Sequence, residues 1–159
     1  MAVTWTRTSR SVLLVLTLYI TLVFVQSLFF KFTDSPETRY IFGTLDTWGA
    51  SLGFPGLFAP SGIFSQYVVG STELLASILL LGGLLLGYPL LHIAGALVSM
   101  GVISGAIFFH LTKLGIALTA VGDQGELFAL ALIVFAASAG VLYLHRQELM
   151  MKLAMATPR

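Results

Sequence analysis

Glu73 is the residue whose chemistry most needs explanation, because it interrupts an apolar run from about residue 66 to residue 86. In a helix that begins near Ser65, Glu73 lies about 12 Å along the axis. A carboxylate at that depth in a membrane usually faces other helices, where it pairs with a base or marks a proton or ligand pathway. Lys31, at the end of the preceding apolar run, is the natural partner because its long side chain can extend along a helix. A neutral, protonated Glu73 is the alternative.

Other polar residues fall at the same predicted end of the apolar runs. His110 and Lys113 are three residues apart and share one face of a helix. The predicted cluster consists of Gln26, Lys31, Glu73, His110, Lys113 and Glu126. Such convergence between apolar helices is typical of a small-molecule site, and a histidine near a carboxylate can move protons near neutral pH. The alternatives are an ion pair that fixes helix register and an interfacial His110 bound to water or lipid headgroups.

The remaining residues limit the other chemistries. His92 and His145 are expected at the opposite end, where a haem held by two histidines has little support. The chain contains no cysteine, which excludes disulfides, thiolate metal sites and a CxxC redox pair. No HExxH, P-loop or GxSxG pattern occurs. The sequence therefore predicts no metal site and no intrinsic cofactor.

Four long apolar runs must position these residues. Hydrophobic residues make up 57% of the 159-residue chain and charged residues only 9%, against about 25% charged in soluble domains. The runs are continuous rather than alternating, and helices satisfy their own backbone in lipid, so we expect an all-α transmembrane bundle forming one domain. The predicted spans are about 11–31, 65–87, 89–111 and 124–145. The first run is too long for a typical signal peptide.

The basic residues predict the orientation of these spans. Five of them flank the two ends of the chain and three lie between the spans on the other side: Arg7, Arg10, Arg146, Lys152 and Arg159 against Lys31, Arg39 and Lys113. The positive-inside rule then places both termini in the cytoplasm, and we expect the chain in the cell (inner) membrane. The net charge of +1 gives no basic field for a nucleic acid.

The segment between the first two spans has a pattern of its own. Ser35 and Pro36 are typical of a helix start. Apolar residues then recur at helical spacing to about residue 52, which predicts a short external amphipathic helix over about 36–52. It is expected to lie in the membrane interface or cap the bundle, and a lid over an external pocket is the alternative.

Small residues on the inner spans predict close helix packing. Two GxxxG patterns occur, at Gly83 and Gly87 and at Gly101 and Gly105. Such patterns let helix backbones approach each other. Packing inside the bundle is the favoured interpretation, and association with another membrane subunit or a second copy of the chain is the alternative.

Three segments resemble the DoxX-like family of membrane proteins. They are residues 24–31 (FVQSLFFK), which end the first span on a lysine, residues 70–82 (GSTELLASILLLG), which carry the glutamate, and residues 101–110, which end in GAIFFH. The resemblance implies a four-helix membrane bundle. Some members are similar to small membrane subunits of thiosulfate:quinone oxidoreductases, so it also suggests a redox setting.

Two functions follow as expectations. The first is an accessory or scaffold subunit of a membrane-associated redox complex, without catalysis of its own, because electron transfer would need a borrowed cofactor. The alternative is a redox module that binds a quinone or another small ligand at the polar cluster around Glu73.

Overall fold

The computed structural model describes residues 7–150 of the chain. Five α-helices follow one another: α1 (Arg7–Phe32), α2 (Pro36–Ser51), α3 (Gln66–Leu86), α4 (Pro89–Phe109) and α5 (Glu126–Leu144). A π-helical turn, His110–Leu114, continues α4, and a 3-10 turn, Thr119–Val121, precedes α5. Four of the helices, α1, α3, α4 and α5, are long and apolar enough to cross a membrane. The prediction of an all-helical chain with four such helices is confirmed.

Local sequence signals set the helix boundaries. The hydroxyl of Ser35 accepts a hydrogen bond from the backbone N–H of Thr38, and Pro36 occupies the first turn of α2, as the sequence predicts. Ser65 caps α3 in the same way. Gly87, in the left-handed conformation with φ of 70°, ends α3, and the following Pro89 begins α4. The short turn makes α3 and α4 antiparallel neighbours.

The four long helices pack in a ring, in which α1 and α4 each contact both α3 and α5. Fully buried apolar side chains, including Ile20, Leu80 and Val134, fill the centre. The outward faces are also apolar, and Leu22 on α1 is 68% exposed. In lipid such a surface is the ordinary outer face of a bundle, whereas in water it would be an aggregation site. The end of the bundle that contains Lys31 is called the ion-pair end, and the opposite end the histidine-pair end.

Helix α2 packs across the ion-pair end of the bundle. The Trp48 ring lies 5.7 Å, between centroids, from Phe109 at the end of α4. A carboxylate oxygen of Asp46 accepts hydrogen bonds from the backbone N–H groups of Phe58 and Ala59, at 3.0 and 3.1 Å. These contacts fold the loop after α2 back onto the helix. The apolar face of α2 is thus used for packing, and its depth in a membrane stays a prediction.

The predicted glycine contacts are only partly correct. A Cβ on Gly83 would collide with the backbone of His92, so this glycine does allow close approach of α3 and α4. Gly87 is the cap described above, and a Cβ there would meet nothing within 4 Å. Gly101 and Gly105 have open space where a Cβ would lie, so the prediction that they pack inside the bundle is wrong. Helical spacing alone does not say which face of α4 turns inward. Gly95, which the GxxxG patterns did not include, is the glycine of α4 that packs closely against α3. A Cβ added there would lie 2.7 Å from the Leu80 nitrogen.

Candidate functional site

The ion pair between Lys31 and Glu73 is the centre of the candidate site. The Lys31 ammonium donates to both carboxylate oxygens of Glu73, at 3.0 and 3.1 Å, and also to the hydroxyl of Ser27. The two charged side chains are only 14% and 6% exposed. The expected pairing of these residues is therefore present, and it links the end of α1 to the interior of α3.

The sequence around the pair explains how the two charges reach each other. Lys31 lies in the last turn of α1, where the helix dipole favours a cation. Gly70 faces it from α3, one turn before Glu73, and a Cβ there would lie 3.5 Å from the Lys31 side chain. The glycine leaves room for the lysine stem to pass along α3. The charged head thus reaches a carboxylate that lies two turns inside the helix.

A second set of polar contacts extends the site toward α2. Gln66, the buried first residue of α3, donates from Nε2 to the carbonyl of Lys31 at 3.1 Å and to the carboxylate of Asp34 at 2.9 Å. Asp34 also lies 3.6 Å from the guanidinium of Arg39. Sequence reasoning missed Gln66 because glutamine at a helix start carries no charge and matches no motif. Its place at the predicted start of the span, next to Ser65, was the available signal.

The other predicted members do not join Lys31 and Glu73 in one cluster. Gln26 and Glu126 are exposed on α1 and α5. Lys113 is also exposed and lies over the Trp48 ring, 5.3 Å from its centroid. His110 is buried, but its Nδ1 lies 2.8 Å from the carbonyl oxygen of Gly115. The prediction of a single six-residue cluster is therefore wrong.

The physical reason lies in the local geometry of the helix ends. After Phe109 the chain changes from an α-helix to the π-helical turn, which changes the direction of the side chains that follow. His110 then closes this turn from within, and its ring lies 5.8 Å from that of Phe128 on α5. Polar side chains at helix ends can also turn toward water instead of the bundle. Residues that lie at the same depth in the bundle therefore need not contact each other.

A surface groove lies along the first turns of α3. It has a volume of about 350 Å³ and is lined by Tyr67, Val68, Ser71, Thr72 and Leu75 on the outer side of α3. Glu73 is buried on the inner side of the same helix and is not among the lining residues. The groove and the ion pair are thus separate features.

The loop before α5 contains a buried carboxylate of its own. Asp123 accepts hydrogen bonds from the backbone N–H groups of Leu118 and Leu127, each at 3.1 Å. Burial acts to raise the pKa of Asp123, but its hydrogen bonds to backbone N–H groups outweigh this and hold the pKa below its ordinary value. The side chain therefore organises the loop as an ionised acceptor.

A second polar chain lies at the histidine-pair end. The Thr17 hydroxyl oxygen lies 2.8 Å from Nε2 of His92, whose Nδ1 lies 2.9 Å from Nε2 of His145. Nδ1 of His145 lies 2.8 Å from a carboxylate oxygen of Glu148. Sequence reasoning placed both histidines at this end but did not predict their contact. Within residues 7–150, no group of three histidine, aspartate or glutamate residues could hold a metal ion.

Comparisons of the chain with protein-family models, with curated proteins and with solved structures find no match. The DoxX-like resemblance therefore rests on the three sequence segments alone. The contacts described above carry the functional argument.

Proposed function

We propose that this chain is a four-span accessory or scaffold subunit of a membrane-associated complex. Its ionisable groups inside the bundle hold the helices in register, and its outer surface contacts a partner subunit. The DoxX-like segments suggest that the complex is a redox complex, in which the partner supplies the electron-carrying cofactor.

The observation that carries this proposal is the closed ion pair between Lys31 and Glu73. The lysine ammonium contacts both carboxylate oxygens and the Ser27 hydroxyl, so its three N–H donors are used within the protein. A ligand that bound Glu73 would have to break these bonds. A buried pair that is satisfied in this way fixes the relative position of α1 and α3.

The exposed face of α4 supports the contact with a partner. Gly101 and Ser104 are exposed there, next to half-buried Gly105, and a Cβ on either glycine would meet nothing within 4 Å. Small residues on a lipid-facing helix allow another helix to approach closely. Since neither glycine is needed for close packing within the bundle, we assign them to association with another membrane helix.

The experiment is purification of the full chain from its native membrane in a mild detergent, with a visible spectrum and a mass-spectrometric count of associated subunits. The proposal predicts a membrane subunit in fixed stoichiometry, with any chromophore belonging to that subunit. Gly101→Leu should remove the partner without lowering thermal stability, because the added side chain has space in the isolated bundle.

Gly101→Ala is the matched control, because a methyl group adds little bulk to the proposed contact. It should retain most of the partner. A chain that purifies alone, or one that carries a quinone in place of a subunit, would contradict the scaffold role and favour the ligand-binding alternative. Retention of the partner by Gly101→Leu would contradict the assigned face.

A further inference from the structure

The four polar side chains at the histidine-pair end form a continuous hydrogen-bonded chain from the bundle interior toward the surface. It runs from Thr17 on α1 through His92 on α4 and His145 at the end of α5 to Glu148. Thr17, His92 and His145 are almost completely buried, whereas the Glu148 side chain is 13% exposed. Glu148 therefore connects two buried imidazole rings to the aqueous side.

We propose that these four hydrogen-bonded side chains form a proton-binding site that takes up one proton and shares it between His145 and His92. The proposal is independent of the scaffold role, because it concerns other residues at the opposite end of the bundle. Its ligand is the proton itself, supplied by water.

Before proton uptake, the four side chains have one consistent arrangement of hydrogens. An ionised Glu148 can only accept, so Nδ1 of His145 carries a hydrogen and donates to it. Nε2 of a neutral His145 is then the acceptor for Nδ1–H of His92. Nε2 of His92 in turn accepts from the Thr17 hydroxyl. The two rings carry two N–H groups, and the four side chains together have a net charge of −1.

Addition of one proton gives a second arrangement that keeps all three hydrogen bonds between the four side chains. His145 becomes an imidazolium that donates from Nδ1 to Glu148 and from Nε2 to Nδ1 of His92. Nε2–H of His92 then donates to the Thr17 oxygen, and the hydroxyl hydrogen of Thr17 turns away from the ring. The rings now carry three N–H groups, and the summed charge of the four side chains becomes zero.

A second proton has no place in this geometry. Two imidazolium rings would direct N–H groups at each other across the 2.9 Å between Nδ1 of His92 and Nε2 of His145. Neither nitrogen could accept, so the hydrogen bond would be lost and two like charges would be in contact. The capacity of the site is therefore one proton.

Among the contacts that the structure describes for residues 9–150, Glu148 is the acidic group that meets this pair. α1 contributes the Thr17 hydroxyl, α3 contributes the backbone at Gly83, against which His92 packs, and the segment after α5 contributes Glu148. The guanidinium of Arg146 is directed elsewhere, since it donates to the Tyr143 carbonyl and lies over that ring. Arg10 on α1 is exposed. Glu148 is thus the charge that favours proton uptake.

The test is a pH titration of the full chain in lipid nanodiscs, with ring-¹⁵N-labelled histidine followed by NMR from about pH 9 to about pH 4. The chain has three histidines, and His110→Gln identifies the signal of the third. The proposal predicts that the His92 and His145 signals move together and that their summed change equals one proton. Two independent titrations, a sum of two protons, or no change over the range would overturn it.

Glu148→Gln tests the source of the proton affinity. It removes the carboxylate charge but preserves size, so proton binding should weaken by about ten- to a thousandfold. Glu126→Gln, an exposed acid at the opposite end, is the matched control and should leave the titration unchanged. An unchanged titration in Glu148→Gln would contradict the proposal. If that variant fails to fold, the proton count of the wild-type chain still decides.

Discussion

Replacing Lys31 should destabilise the protein more than replacing Glu73, its partner in the buried ion pair. Lys31→Met leaves the Glu73 carboxylate without its ammonium at 6% exposure. Such a stranded buried charge costs about 3 kcal/mol. Glu73→Gln leaves the ammonium, which lies in the last turn of α1 and can extend toward water. That substitution should cost about 1 kcal/mol, the usual net value of a lost hydrogen bond.

The double variant separates this account from a simple loss of packing. With both charges removed, no buried ion lacks a partner, so the double substitution should cost less than Lys31→Met alone. Glu73→Gln should therefore stabilise the protein when it is introduced into the Lys31→Met background. Additive effects of the two substitutions would show that the two charges do not depend on each other, contrary to this prediction, because independent sites add.

The assay is reversible unfolding in mixed micelles with a rising fraction of denaturing detergent, followed by circular dichroism. Two matched controls lie at the same end of the bundle. Lys113→Met removes an exposed lysine whose contact is with the Trp48 ring, and Glu126→Gln removes an exposed acid. Each should change the free energy of unfolding by less than about 1 kcal/mol. A Lys113→Met effect as large as that of Lys31→Met would also refute the account.

Three further predictions concern packing and the loops. Gly83→Ala should lower the free energy of unfolding by about 1–3 kcal/mol, because its Cβ would collide with the His92 backbone, whereas Gly101→Ala should be nearly neutral in the same assay. Asp46→Ala should speed proteolysis of residues 52–65, because two backbone N–H groups lose their acceptor. The lowered pKa of Asp123 means that its stabilising contribution is present above the ordinary value of 3.8 and is lost as the pH falls toward the folded value. Asp123→Asn should remove that part of the acid dependence in thermal unfolding, and an unchanged acid profile would contradict it.

The fold follows from the sequence because lipid leaves few alternatives for a long apolar run. Each run becomes a helix with predictable ends, since Ser35, Ser65 and Pro89 act as local signals that need no tertiary information. The Lys31–Glu73 pair was predictable for a similar reason. A charge within an apolar run needs a partner, and antiparallel neighbours bring these two to similar depth.

The remaining contacts depend on helix rotation, which spacing does not determine. Gly95 packs against α3 while Gly101 does not, although both lie on α4. The contact between His92 and His145 likewise requires that α4 and the end of α5 turn their rings toward each other. Sequence alone predicts the depth of each residue but not its direction around the helix axis.

We propose that the chain crosses the membrane four times, with the ion-pair end outside and the histidine-pair end in the cytoplasm, as the positive-inside rule predicts. Because the chain has no cysteine, single substitutions give a direct test with a membrane-impermeant maleimide on intact cells. Leu52→Cys and Ala120→Cys, exposed at the ion-pair end, should be labelled at once. Tyr88→Cys and Gln147→Cys, exposed at the histidine-pair end, should react only after permeabilisation. Equal labelling of all four positions on intact cells, or the reverse pattern, would contradict the account.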